Sequence, residues 1–130
     1  MTEHFKDSEL ACKCCGTLKL ADGFRERLNS IREACNFPFH VNSCCRCPKH
    51  NKAEGGAITS FHLTEYYADP ARGTCAIDIS TASMTDEQYG TLVKIATSSG
   101  WSIGENFKKK FIHMDRRVDF GYKQVRFTYP

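Results

Sequence analysis

No run of this sequence is long and apolar enough to cross a membrane, and Met1 to Leu10 is polar and charged, without the apolar core of a secretory signal. The expectation is cytosolic synthesis and no membrane insertion. Charge of one sign is also scarce. Eighteen basic residues against 15 acidic ones leave a net +3, which falls short of the dense stripe of a dedicated nucleic-acid binder and suits an anionic partner only weakly. The Lys108 to Lys110 run reads as a solvated hairpin tip. Internal repeats and low-complexity stretches are missing too. At 130 residues, 41% of them hydrophobic, the chain is expected to form one domain, 1–130, with its own core and to work as a monomer.

The elements alternate between helical and extended patterns. Asp22 can cap a helix to about Asn36 with Phe24, Leu28, Ile31 and Cys35 on one stripe, ended by Pro38. Phe39 to Asn42 reads as a short strand, and Pro48 to Ala53 as a helical turn before Gly55-Gly56. Thr85 and Gln88 make a capping box for a second amphipathic helix bearing Tyr89, Leu92, Val93 and Ala96 and closed by Gly100. Over residues 73–80, Cys75, Ile77 and Ile79 point one way and Thr74, Ala76, Asp78 and Ser80 the other. Trp101 to Tyr129 reads as antiparallel strands with a turn near Asn106 to Lys109, where Ile112 and Met114 alternate with Phe111, His113 and Asp115. The isoleucines belong to a core, so Asp78 and His113 face away from it. With His62, in the turn Ser60-Phe61-His62, they form a candidate zinc site.

Five ordered motifs carry a resemblance. Val41-Asn42-Ser43, then Arg46-Cys47-Pro48 with His50-Asn51-Lys52-Ala53 and Gly55-Gly56, Ser60-x-His62-Leu63, Ala76-x-Asp78-Ile79, and Phe111-Ile112-His113-Met114-Asp115 are similar to the M15 zinc peptidases. Among these they resemble the small phage and bacterial D-alanyl-D-alanine carboxypeptidase-like type. The resemblance implies an α+β fold, with a small antiparallel sheet and helices packed on one side, as in the hedgehog and D-Ala-D-Ala-peptidase fold. It also implies one catalytic Zn2+ held by His62, Asp78 and His113, and hydrolysis of a peptide bond in peptidoglycan stem peptides, in carboxypeptidase or endolysin-like endopeptidase mode. Arg46 would stabilise a developing oxyanion or hold a substrate carboxylate, and Ser60 would orient substrate. Action on the cell wall or periplasm would follow release from the cytosol, or the protein would be a virion component. A non-catalytic zinc-binding protein on the same scaffold is the alternative.

Two positions depart from the family pattern. The usual spacing from His62 puts the aspartate ligand at Asp69, which precedes Pro70 in a turn-like stretch. Asp78, after a nine-residue insertion, has the strand context. The inserted loop, with Glu65, Tyr66, Tyr67 and Arg72, is expected to border the cleft. Lys110 stands where a carboxylate base usually precedes the last histidine by three residues, and an ammonium group cannot take that role. Asp115 and Glu105 are the candidate bases, with a partner that orients the His113 imidazole as the other reading of Asp115.

Eight cysteines stand outside this scheme. Cys12-x-x-Cys15 and Cys44-x-x-Cys47 have the spacing of structural zinc sites, although the 28 residues between the pairs exceed the usual ribbon spacing. A structural metal or disulfides would tie the N-terminal segment to the Cys44 turn. Cys35 and Cys75 read as small buried hydrophobes.

Overall fold

A computed structural model describes residues 3–130; Met1 and Thr2, the start of the polar segment, lie outside the described residues. In chain order it contains α1 (Asp7–Leu10), α2 (Phe24–Cys35), β1 (His40–Ser43), α3 (Pro48–Ala53), β2 (Ala76–Ser80), α4 (Asp86–Ser98), β3 (Ser102–Asn106), β4 (Phe111–Asp115), a 3-10 turn (Arg117–Phe120) and β5 (Arg126–Thr128). The five strands form one sheet in the order β1-β2-β4-β3-β5.

Register in this sheet decides what each face carries. In β2 and β4, Ile77 pairs with Met114 and Asp78 with His113; in β3 and β4, Ile103 pairs with Met114 and Gly104 with His113. Side chains alternate across a strand, so Ile77, Ile79, Ile103, Ile112 and Met114 share one face. There they meet Phe24, Leu28 and Ile31 of α2 and Leu92 and Ala96 of α4 in a single core. Trp101 closes it, edge-on to Phe24 with ring centroids 5.7 Å apart. The helices α2 and α4 thus lie on one side, and the row Asp78, His113, Gly104 is left on the other.

The helix ends differ in how they are built. At α4 the capping box forms: Gln88 N–H donates to Thr85 Oγ1 at 3.1 Å and Thr85 N–H to Gln88 Oε1 at 3.0 Å. At α2 the expected Asp22 cap does not form. Gly23 takes the cap position with φ +79° and no side-chain bond, and its carbonyl accepts from Arg27 N–H at 3.1 Å. Asn36, at φ +59°, closes the helix before Pro38. Helix α1 has no counterpart in the sequence reading; it buries Leu10 completely.

The last strand corrects the all-antiparallel expectation, since β5 runs parallel to β3 with Gly104 paired to Phe127. After β4 the chain turns through the 3-10 segment, where Arg116 binds Asp119 and donates to the Ser99 carbonyl at 2.7 Å. That carries it back to the start of β3, so it can only run alongside in the same direction. Gly104 is essential to this edge: a Cβ there would lie 2.3 Å from the Phe127 ring.

Candidate metal centre

The face opposite the helices opens into a cavity of about 500 Å³. His62, Asp78 and His113 lie at its floor, buried, with their ligand atoms within 4.8 Å of one another. Asp78 and His113 are neighbours across the β2–β4 ladder, so backbone hydrogen bonds set their spacing. His62 comes from a loop that is pinned instead. Its carbonyl accepts from Arg46 N–H at 3.0 Å and from the Thr74 hydroxyl at 2.9 Å, and its N–H donates to Ser60 Oγ at 3.2 Å.

The far nitrogen of each imidazole fixes the near one. His62 Nδ1 donates to the Cys44 carbonyl at 2.8 Å, which leaves the Nε2 lone pair 3.1 Å from Asp78 Oδ1. His113 Nε2 donates to Asp115 Oδ2 at 2.7 Å, which leaves Nδ1 at 3.1 Å from the same Asp78 oxygen. Two lone pairs and a carboxylate oxygen therefore converge, and a divalent cation reconciles them. Two neutral imidazoles and one carboxylate, with a position to spare, are a donor set that fits zinc.

Charges around the centre keep Asp78 ionised and leave His113 divided between a proton and a cation. Burial would raise the Asp78 carboxyl, but the two imidazoles hold it well below the usual carboxylate range. Its other oxygen, Oδ2, accepts from the Arg46 guanidinium at 3.0 Å, which leaves Oδ1 turned to the histidines. Burial disfavours charge on both histidines and lowers His62. At His113 the bonds to Asp115 and Asp78 override burial and push the pKa up to about 9, so a proton and a cation compete for that nitrogen.

The two candidate bases are not in the cavity. Asp115 is fully buried behind His113: Oδ1 accepts from Arg117 N–H and Nε at 3.0 and 2.9 Å, and Oδ2 accepts from His113 and from a second Arg117 nitrogen at 2.8 Å. Burial works against its charge, yet His113 and Arg117 hold its pKa down to about 2. It is a partner that orients the imidazole. Glu105 lies on the core face of β3, where it accepts from the Tyr89 hydroxyl and, at 2.7 Å, from Arg126 Nε. The carboxylates that do line the cavity, among the described residues, are Asp78 and Glu54.

Other expected residues fall into place around this centre. Arg46 lines the cavity; besides Asp78 it donates to Ser43 Oγ at 2.9 Å and to Asn51 Oδ1 at 3.5 Å. Ser60 is also on the wall. Asp69 is exposed in a turn that closes with Asp69 N–H on the Tyr66 carbonyl, well outside the cluster. Lys110 sits at the β3–β4 turn with φ +55°, its carbonyl accepting from Thr81 N–H at 2.9 Å, while Lys109 reaches the cavity. The inserted loop does not border the cleft as expected. Tyr66 stacks on Phe61 at 5.9 Å and Arg72 lies 4.1 Å over the Tyr66 ring, so the loop buttresses Phe61, which is itself a wall residue.

Several wall residues had no signal in the sequence. Phe127 arrives on the parallel edge strand and Tyr129 just beyond its end, with the Phe127 ring 6.1 Å from His113. Arg117 reaches the wall from beyond β4, and its guanidinium lies 4.7 Å over Phe61. Burial raises the Tyr129 phenol, helped by the Asp78 charge, so it stays an O–H donor.

The family described as Peptidase M15 matches residues 3–115, from ahead of α1 to the last residue of β4. No curated protein matches the chain.

Proposed function

The chain belongs to the M15 peptidase family, and on that premise we propose that it hydrolyses a peptide bond in bacterial peptidoglycan stem peptides, with His62, Asp78 and His113 holding a catalytic zinc ion. The family is one of zinc-dependent metallopeptidases that act on peptidoglycan peptides. The observation that carries the reading for this chain is the pair of imidazole lone pairs turned onto one Asp78 oxygen. Zinc held there supplies a Lewis acid that activates water and polarises a carbonyl at neutral pH.

The protein groups around it divide the remaining work. Arg46 turns Asp78 through Oδ2 and still has N–H donors for a substrate carboxylate or a developing oxyanion. Tyr129, kept protonated, is a second donor at the wall. Ser60 accepts from the His62 N–H and retains its own O–H for a substrate carbonyl. Glu54, the second carboxylate lining the cavity, with Oε1 3.7 Å from His50 Nε2, is our candidate to take the proton from the attacking water, in place of Asp115 and Glu105. Phe61, Phe111 and Phe127 provide an apolar bed for small side chains such as D-alanine methyl groups.

The test is digestion of purified peptidoglycan, with mass spectrometry of the products and elemental analysis of the protein, on wild type, His113→Ala and Glu54→Gln. Wild type should create one defined new peptide terminus, which also identifies the bond. His113→Ala should lose that product together with the zinc of this centre. Glu54→Gln should keep the zinc and lose at least 100-fold in rate, the usual worth of a general base. Zinc and stem-peptide binding without product in wild type would instead establish the non-catalytic alternative.

A further inference from the structure

The proposed hydrolysis leaves a second set of metal-binding atoms unused. Cys12 Sγ, Cys15 Sγ and Cys47 Sγ lie within 4.8 Å of one another. Thiolates on one tetrahedral zinc, each about 2.3 Å from the ion, sit about 3.8 Å apart, so small side-chain rotations gather all three onto an ion. Cys44, the expected partner of Cys47 in a two-residue-spaced pair, is not in the group. It is buried, and burial together with Cys45 raises its thiol well above the ordinary value.

The backbone around the cluster is arranged for sulfur that carries charge. Gly16, at φ +76°, lets the chain reverse so that its N–H donates to the Cys12 carbonyl at 2.7 Å, while Cys12 N–H donates to the Thr17 carbonyl at 2.8 Å. That tight loop brings Cys12 and Cys15 to one side. Cys47 N–H points at Cys12 Sγ at 3.3 Å, His50 N–H at Cys47 Sγ at 3.4 Å, and the Thr17 hydroxyl lies 3.2 Å from Cys15 Sγ. Donors aimed at sulfur favour thiolate over thiol. Burial opposes ionisation of Cys12, yet the N–H groups of Cys47, Cys15 and Cys14 hold its pKa down to about 7. Cys47 moves the other way: the His50 N–H favours its thiolate, but burial and the neighbouring Cys12 and Cys15 outweigh that and raise it, as expected of sulfurs crowded onto one point.

We propose that Cys12, Cys15 and Cys47 are three ligands of a second, structural zinc ion, separate from the centre in the cavity. Its place in the fold gives it a task. Cys12 and Cys15 belong to the N-terminal segment, whereas Cys47 directly follows Arg46, the residue that turns Asp78. The same two segments also meet where Cys45 N–H donates to the Leu10 carbonyl at 3.0 Å. An ion across this junction clamps the Arg46 loop from behind.

Cobalt substitution reads the site without reference to peptidase activity, because thiolate-to-cobalt charge transfer gives a near-ultraviolet band that imidazole and carboxylate ligands do not. The band is expected in wild type and in His113→Ala and is expected to vanish in Cys47→Ser. In wild-type protein, thiol modification should also release one zinc per chain to a chromophoric chelator, a measurement that needs no variant to fold. A cobalt-loaded wild type without the band, a band that survives in Cys47→Ser, or a reducible disulfide joining Cys47 to Cys12 or Cys15 would each overturn the proposal.

Discussion

Asp115 shows how much a single side chain can do from outside the cavity. It is fully buried, spends both oxygens on His113 and Arg117, and so decides which imidazole nitrogen is free to bind. Asp115→Asn can no longer hold that tautomer. Zinc affinity at the histidine centre is expected to fall about 10–100-fold, measured by chelator competition in a Cys47→Ser background; an unchanged affinity would show that Asp115 is only a structural anchor. The sequence carried half of this. His113 and Asp115 could be set on one face from strand alternation, because Ile112 and Met114 had to be core. Arg117 could not be anticipated, since it follows the strand and its direction depends on a turn. Glu105 was legible but misread: the periodicity that puts Ile103 in the core puts Glu105 there too.

Between elements, Glu105 is the tie that joins α4, β3 and β5, accepting from Tyr89 on the helix and Arg126 on the edge strand. Burial raises its pKa, but those two bonds outweigh it and leave the folded value below the ordinary 4.5. A carboxyl depressed by folding stabilises the protein above its unfolded value and loses that contribution as pH falls through the folded one. Resistance of wild type to urea unfolding should therefore fall below about pH 4.5, and Glu105→Gln should flatten that part of the profile; parallel profiles for the two proteins would remove Glu105 from the account. At this scale α4 was fully announced by Thr85 and Gln88, since a capping box is a local signal. The parallel direction of β5 was not, because a short exposed strand has no periodicity that tells parallel from antiparallel. The cavity wall formed by Phe127 and Tyr129 was hidden with it.

For the molecule as a whole, metal binding and folding are linked. An ion that binds the folded chain and not the unfolded one adds about 2.7 kcal/mol at a hundredfold excess over Kd, several degrees in Tm for a domain of this size. Zinc should raise Tm and a chelator lower it, with the shift reduced but not abolished in His113→Ala because the thiolate cluster remains; a Tm indifferent to zinc in wild type would contradict both centres. The overall architecture was readable because the core face of β2 and β4 is continuous in the sequence, and the family match covers the same span. The ladder row Asp78–His113 has one more consequence, which concerns timing. Its members stand 35 positions apart in the chain, and such distant strands pair only after the entropy of closing the intervening loop has been overcome. A growing or half-folded chain offers scattered single histidines and no chelate, so this set of ligands comes into being only once β2 and β4 have paired.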